Sequence, residues 1–313
     1  QKNTASGFKS LYANTTAHGN TASGTYALCT NITGAYNTAM GMCALLLNTT
    51  SYNTAVGMEA LANNTSGPRN TAVGVQALAA NTSGERNTAI GYAVLTGFTT
   101  GIKNTALGSY AGDALTSGLA NIFIGDSAGT ATTDVDKAVI IGANAGLGNM
   151  TSDADGTVAI GYYAGGAITS GGSNTAIGYE AMKVHTTGHS NLAIGYGAMD
   201  DTDAGSNSND SDDNIFVGYQ AGGGTWADNK SEQNVAIGSY AMAGALNSGG
   251  VNTGIGFQVL TALISGDENT VVGAYAGNAL TTGGGNIIIG YDAGGGSTDV
   301  DKTIIIGYEA GQA

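Results

Sequence analysis

Proline is almost missing from this chain of 313 residues: one, Pro68, occurs in the whole sequence. A collagen-like helix needs abundant Pro and a Gly at every third position, so that class is excluded. Cysteine is scarce too, with only Cys29 and Cys43, too few for a disulfide framework. Cations number 9 against 23 acids, a formal net charge of −14, which argues against a nucleic-acid-binding surface. No run approaches eighteen consecutive apolar residues, so membrane insertion is not expected. Charged residues make up 10% and hydrophobics 42%, a balance opposite to that of disordered chains. The chain opens on Gln1 rather than Met, so it is read as a piece of a longer protein whose targeting segment would be missing.

Glycine, by contrast, is abundant at 53 residues, and its distribution is periodic. The pentapeptide Asn-Thr-Ala-x-Gly recurs from Asn3, Asn20, Asn37, Asn53, Asn70, Asn87, Asn104 and Asn174, with degenerate copies such as Asn121-Ile-Phe-Ile-Gly between and after. Anchored on its last residue, the motif occurs eighteen times, from Gly7 to Gly307, and twelve of the seventeen intervals are 17 residues long. A fixed period over the whole chain is the mark of a repeat architecture, leaving no room for a separate globular domain. Segments near Tyr110 and Thr133 return near Tyr275 and Thr298, so the array reads as a duplicated nine-coil block, 1–146 and 147–313.

The columns of the repeat specify strands. The residue before the anchor Gly is hydrophobic in sixteen copies, and the residue three before it is Thr, Ile, Val or Leu in all eighteen. Strand side chains alternate, so these two columns share one face. The column between them, mostly Ala, points to the other face. A strand apolar on both faces is buried on both. The Thr column is therefore read as buried. Three residues after the anchor comes Ala in fifteen copies, then Leu, Met or Gly in all eighteen, which suggests a second short strand or turn. Gly, Asn and Ser fill the remaining turns. Helix is excluded, because no Gly-free segment of ten residues carries a 3.6-residue period. The expected fold is all-β: a parallel β-solenoid of about eighteen coils with a 17-residue repeat, stacked at roughly 4.8 Å per coil into a rod of about 85 Å. Asn20, Gly24, Asn87, Gly91, Asn174 and Gly178 are representative structural positions, expected to stack like on like. A coil this thin buries one strand face inside itself, so the other calls for further copies of the chain, and an obligate homo-oligomer is expected.

Tandem Asn-Thr-Ala-Ile-Gly-Tyr-x-Ala-Leu units of this kind resemble the repeats of phage tail fibres. They are similar as well to the head repeats of trimeric autotransporter adhesins of the YadA-like class. That resemblance spans essentially the whole chain. It implies a left-handed β-roll, an elongated homotrimer and an extracellular setting on a virion tail fibre or bacterial cell surface. It also implies attachment to a host or cell-surface receptor, including a glycan. The family's usual period is nearer 14 or 15, so longer turns are expected here.

Chemistry of other kinds finds less support. The acidic stretch holding Asp201, Asp203, Asp210 and Asp212 supplies hard oxygen ligands suited to Ca²⁺. Its spacing matches neither an EF-hand nor a calcium-binding β-roll repeat, and it reads as a solvated loop in the longest interval, 23 residues. No cofactor is expected. His185 and His189 lie in loop context, without the helical spacing of a two-ligand site. Trp226 and Asp213 are the candidate surface-binding residues; Trp226, with the tyrosines that follow several anchor glycines, is suited to sugar rings if exposed, but the tyrosine column also accepts Phe8, Met42, Met58 and Val75, which favours packing between chains. A tailspike-type polysaccharide depolymerase is the competing class. Glycan cleavage needs two carboxylates at a defined separation, whereas Glu59, Glu180 and Glu309 are isolated column variants, so no enzyme is expected. A Thr ladder that orders ice is a third reading.

Overall fold

A computed structural model describes residues 2–202, 211–226 and 230–312. Two compact units are present, residues 1–156 and 157–313, and each is all-β. The first holds nine three-residue strands: β1 (Thr4–Ser6), β2 (Thr21–Ser23), β3 (Thr38–Met40), β4 (Thr54–Val56), β5 (Thr71–Val73), β6 (Thr88–Ile90), β7 (Thr105–Leu107), β8 (Ile122–Ile124) and β9 (Val139–Ile141). One 3-10 turn, Ser152–Ala154, follows. The second unit holds β10 (Val158–Ile160), β11 (Thr175–Ile177), β12 (Leu192–Ile194), β13 (Ile215–Val217), β14 (Val235–Ile237), β15 (Thr253–Ile255), β16 (Thr270–Val272), β17 (Ile287–Ile289) and β18 (Ile304–Ile306).

Within each unit every strand pairs in parallel with the next, without a register slip. Thr71, Ala72 and Val73 face Thr88, Ala89 and Ile90; Thr175, Ala176 and Ile177 face Leu192, Ala193 and Ile194. Each unit is thus a parallel β-solenoid with one strand per coil. No helix among the described residues is long and apolar enough to cross a membrane.

Among the described residues one strand forms in each coil, so the second short strand or turn that the sequence suggests is a turn. The segment after the anchor Gly turns through residues of alternating backbone handedness. Leu28, Leu45, Leu61, Leu78 and Leu95, in the column that is Leu, Met or Gly throughout, all have φ between 50° and 53°. The column two residues earlier, occupied by Tyr26, Cys43, Glu59 and Gln76, is left-handed as well. Left-handed backbone costs a non-Gly residue on the order of 1–2 kcal/mol. Burial of a Leu side chain returns about 1.5–3 kcal/mol, and these leucines are fully buried. Hydrogen bonds between coils hold the turn: the Leu28 N–H donates to Ala44 O at 3.0 Å, and the Cys43 N–H to Thr25 O at 2.9 Å.

The core lies inside each coil and is built from the central strand column and the Ala-Leu pair. Ala22, Ala39, Ala55, Ala72 and Ala89 have no exposed surface, nor do Ala27, Ala44, Ala60 and Ala77. Where the central column grows to Phe123, Ile140 or Phe216, the residue six positions on shrinks to Gly129, Gly146 or Gly222. The Gly leaves room for the larger side chain: a Cβ on Gly129 or Gly222 would stand 2.5 Å from the Phe123 or Phe216 ring.

Anchor glycines are required by space and by dihedral angle together. Gly91 has φ of 140°, and a Cβ on it would stand 2.5 Å from the Gly108 carbonyl oxygen of the next coil. The Asn column beside it is buried. The Asn87 Oδ1 accepts the backbone N–H of Asn104 at 2.9 Å, while its Nδ2 donates to Gly101 O at 2.9 Å. The same pattern joins Asn20 to Asn37 and Asn174 to Asn191. A second buried ladder runs through the turn of the first unit: the Asn64 Nδ2 donates to Asn48 Oδ1 at 2.7 Å, and the Asn81 Nδ2 to Asn64 Oδ1 at 2.8 Å. Most of these buried amides meet partners in their own or a neighbouring coil, as buried polar groups must, whereas the Asn31 and Asn81 Oδ1 atoms have none.

Candidate functional site

The strand face opposite the core is the most extended surface feature. Its two columns remain partly open to solvent in every strand of both units, whereas the central residue is buried from β2 to β17. Ile90, Leu107, Ile237, Ile255 and Ile289 are between 38% and 43% exposed. The Thr column belongs to this face as well: Thr21 and Thr105 are exposed and Thr54, Thr71 and Thr88 half-buried, so this column is not core within the chain. The reason is the pleat, since Ala at the centre of the strand takes the inward position.

Aromatic rings extend this face. In the second unit Tyr162, Tyr179, Tyr196 and Tyr219 stack in sequence, with centroids 5.2, 5.0 and 5.1 Å apart and planes within 24° of parallel. Edge contacts continue the line through Tyr240, Phe257, Tyr275 and Tyr291. Each of the four stacked rings is 41–45% exposed, but the π-faces are turned on one another. A sugar ring that stacks on an aromatic needs a free face. This run offers edges and hydroxyls instead. Burial raises the Tyr179 phenol above its ordinary pKa, and the neighbouring Glu180 adds to the shift.

Trp226 does not reach this surface. It is fully buried, with its ring 5.6 Å from Phe216 at 61°, and so is not available as a surface-binding residue. Its column, seven or eight residues after the anchor, is a buried corner held elsewhere by Asn81, Phe98, Leu115 and Met150. His185 occupies the same corner and is buried. Its Nδ1 lies 3.1 Å from the Thr202 hydroxyl and its Nε2 3.1 Å from Gly188 O, the bonds of a core histidine. His189 sits apart from it, and its Nδ1 accepts the Gly172 N–H at 3.0 Å.

Of the acidic residues, Asp201 accepts a hydrogen bond from the Thr225 hydroxyl and Asp212 accepts the His189 backbone N–H at 2.6 Å. Asp213 is exposed, in a left-handed turn at φ 58°. Asp203 and Asp210 lie outside the described residues, as does most of the loop they belong to. Among the described residues no group of three or more His, Cys, Asp or Glu side chains is placed to hold a metal ion. Asp136 and Asp301 serve as turn acceptors, taking the backbone N–H of Leu119 at 2.7 Å and of Gly284 at 2.8 Å. Asp200 stands out electrostatically: burial pushes its carboxyl up to about 6, and Asp201 and Glu180 add to the effect.

No family model matches the sequence, and no curated protein matches it at a significant level.

Proposed function

We propose that the chain is the structural shaft of an extracellular fibre, a phage tail fibre or a bacterial surface adhesin, assembled as a homotrimer. The observation that carries this reading is the outward strand face, where half-exposed Ile, Val, Leu and Thr recur coil after coil beside aromatic rings. Monomeric soluble proteins rarely expose contiguous apolar patches beyond a few hundred Å², and larger ones mark association sites. At roughly 25 cal/mol per Å², a face of this extent left wet would be a large cost, which packing against copies of itself removes. In-register repetition suits such packing, because each coil presents the same contact as its neighbour.

The number three follows from the resemblance of the repeats to tail fibres and trimeric adhesins. In this reading the role of the chain is reach and rigidity, with attachment made by groups displayed on its turns and multiplied by three copies. Sedimentation equilibrium of the purified protein is the test. A particle three times the chain mass is expected down to low concentration, and a stable, folded monomer would overturn the proposal.

A further inference from the structure

The cations of this acidic protein are not scattered. Residues 1–156 hold six of the nine Lys and Arg against eight acids, whereas residues 157–313 hold three against fifteen. Five of the six share one column of the repeat, five residues before the anchor Gly: Lys2 in the first coil, then Arg69, Arg86, Lys103 and Lys137. The two coils before that of Arg69 place Tyr36 and Tyr52 in that column, and the coil between Lys103 and Lys137 places Ala120 there. Lys2 is exposed, and each of the others is exposed and left-handed, with φ from 56° to 67°.

Backbone bonds fix the column at one residue per coil. The Arg86 N–H donates to Pro68 O at 3.2 Å, Lys103 to Glu85 O at 3.1 Å, Ala120 to Ile102 O at 3.0 Å and Lys137 to Leu119 O at 2.8 Å. Neighbouring positions of the column are thus set roughly 4.8 Å apart, the spacing of paired strands, with Lys103 and Lys137 two steps apart across Ala120. Holding like charges in a row is unfavourable in itself, and little neutralises them. Arg86 has an exposed ion pair with Glu85 at 3.4 Å, worth at most about 1 kcal/mol. Neither Arg69, Lys103 nor Lys137 makes an ion pair among the described residues. The Asp136 carboxylate beside Lys137 is engaged by a backbone N–H.

We infer that this column is a binding track for a linear acidic polysaccharide, one whose sugars carry carboxylates. Charge complementarity selects a polyanion, and the aromatic end of the track selects which kind. Single-stranded nucleic acid binds such tracks by stacking bases on open rings. Here the ring faces are taken: Tyr36 stacks on Tyr52 at 5.4 Å and 11°, His18 closes on the Tyr36 ring at 5.0 Å, and the Arg69 guanidinium lies 5.9 Å over Tyr52. What stays open is a row of phenol edges, guanidinium and ammonium groups, donors suited to carboxylates and sugar hydroxyls. In the second unit the same column carries Asp213, Glu268 and a single cation, Lys302, so a run of cations belongs to the first unit alone. This inference stands independently of the fibre assignment.

The test is titration of the full chain with a size-selected oligogalacturonate. Parallel arms use the same oligomer with its carboxyls reduced to alcohols, and an oligodeoxythymidylate. Salt-sensitive binding of the oligogalacturonate is expected, with the reduced oligomer at least about tenfold weaker. Replacing Arg69, Arg86 and Lys103 together by Gln should weaken binding by roughly tenfold or more, while the same change at Lys9, Lys183 and Lys230, none of them in this column, leaves it within about twofold. Should the first variant fail to fold, Ala120→Lys serves instead. It fills the gap in the row at a turn that already accepts Lys at Lys103 and Lys137, and is expected to tighten binding. Equal loss in the two triple variants, equal binding of the reduced oligomer, tighter binding of the oligodeoxythymidylate, or an indifferent Ala120→Lys variant would each overturn the inference.

Discussion

Gly222 and Phe216 occupy one volume between them: a Cβ on Gly222 would stand 2.5 Å from Cδ1 of the Phe216 ring. Elsewhere the same pair of columns reads Ala22 with Leu28, or Ala236 with Met242, and all four of those residues are buried. We predict that Phe216→Ala opens a cavity costing about 3–5 kcal/mol. Gly222→Leu alone is expected to clash and destabilise the fold as well. The double variant should recover much of the loss, because Leu28 shows that a Leu is accepted there at φ near 51°. Denaturant unfolding of the four proteins measures the coupling, expected at about 1–3 kcal/mol. Simple additivity would refute the shared-volume account.

Gly91→Ala places a methyl 2.5 Å from a backbone oxygen at φ 140°, two penalties that no side-chain rotation relieves. A loss above about 3 kcal/mol is expected, larger than for most single substitutions. Thermal unfolding against the wild type reads it directly.

Asn87 is acceptor and donor at once, so Asn87→Asp isolates the donor. An ionised carboxylate would still accept the Asn104 N–H but could not donate to Gly101 O, and it would face Asn70 Oδ1, now 3.2 Å from the amide. The introduced carboxyl should therefore have a raised folded-state pKa. Its cost is expected at about 1–3 kcal/mol near pH 4, where a proton restores one donor, and higher near pH 7. A variant equally stable at the two pH values would contradict the ladder geometry.

For Asp200 the folded-state pKa of about 6 lies above the usual value near 3.9. The native state holds this proton more tightly than the unfolded chain. Below about pH 4 both states are protonated and stability is at its highest from this group. It falls as pH rises toward 6 and levels off beyond. Since the side chain is only half-buried, roughly 1 kcal/mol is expected after screening. Asp200→Asn should flatten the pH profile of unfolding between 4 and 6, and an unchanged profile would reassign that dependence to other groups.

Ile237 and Ile255 are paired across β14 and β15 and are about 40% exposed on the outward face. Replacing both by Ser removes apolar surface without touching the inward Ala column. Little change is expected in the fold of one chain, but a clear rise in the concentration needed for assembly. Sedimentation velocity with circular dichroism distinguishes this from simple unfolding.

The repeat, its strand phase and its inward Ala column were readable from residue spacing, since a two-residue period and a 17-residue spacing leave few alternatives. Turn handedness was not. Tyr26, Glu59 and Leu28 carry no mark of a positive φ, because propensity reasoning assigns that region to Gly and Asn. Trp226 was misplaced for a different reason. It follows its anchor by eight residues rather than the seven of Phe98 and Leu115, so counting along its 20-residue interval hides the equivalence that stacking reveals. Asn48, Asn64 and Asn81 do cap their own turns, with Nδ2 donating to Thr50 O, Gly67 O and Gly84 O, but the ladder that joins them from coil to coil is invisible in any single turn.

Stacking without register slip has a genetic consequence. In the first unit five successive intervals, from Gly57 to Gly142, are each 17 residues long, and every ladder joins a residue to its counterpart one interval away. Unequal recombination that removes or adds one whole interval there would rejoin anchor to anchor and, in the coils that end at Gly57, Gly74, Gly91 and Gly108, Asn to Asn and Ala to Ala across the seam. Chain length in this stretch can therefore drift between lineages in steps of one coil with its ladders intact, whereas a one-residue deletion in a strand misaligns all of them at once.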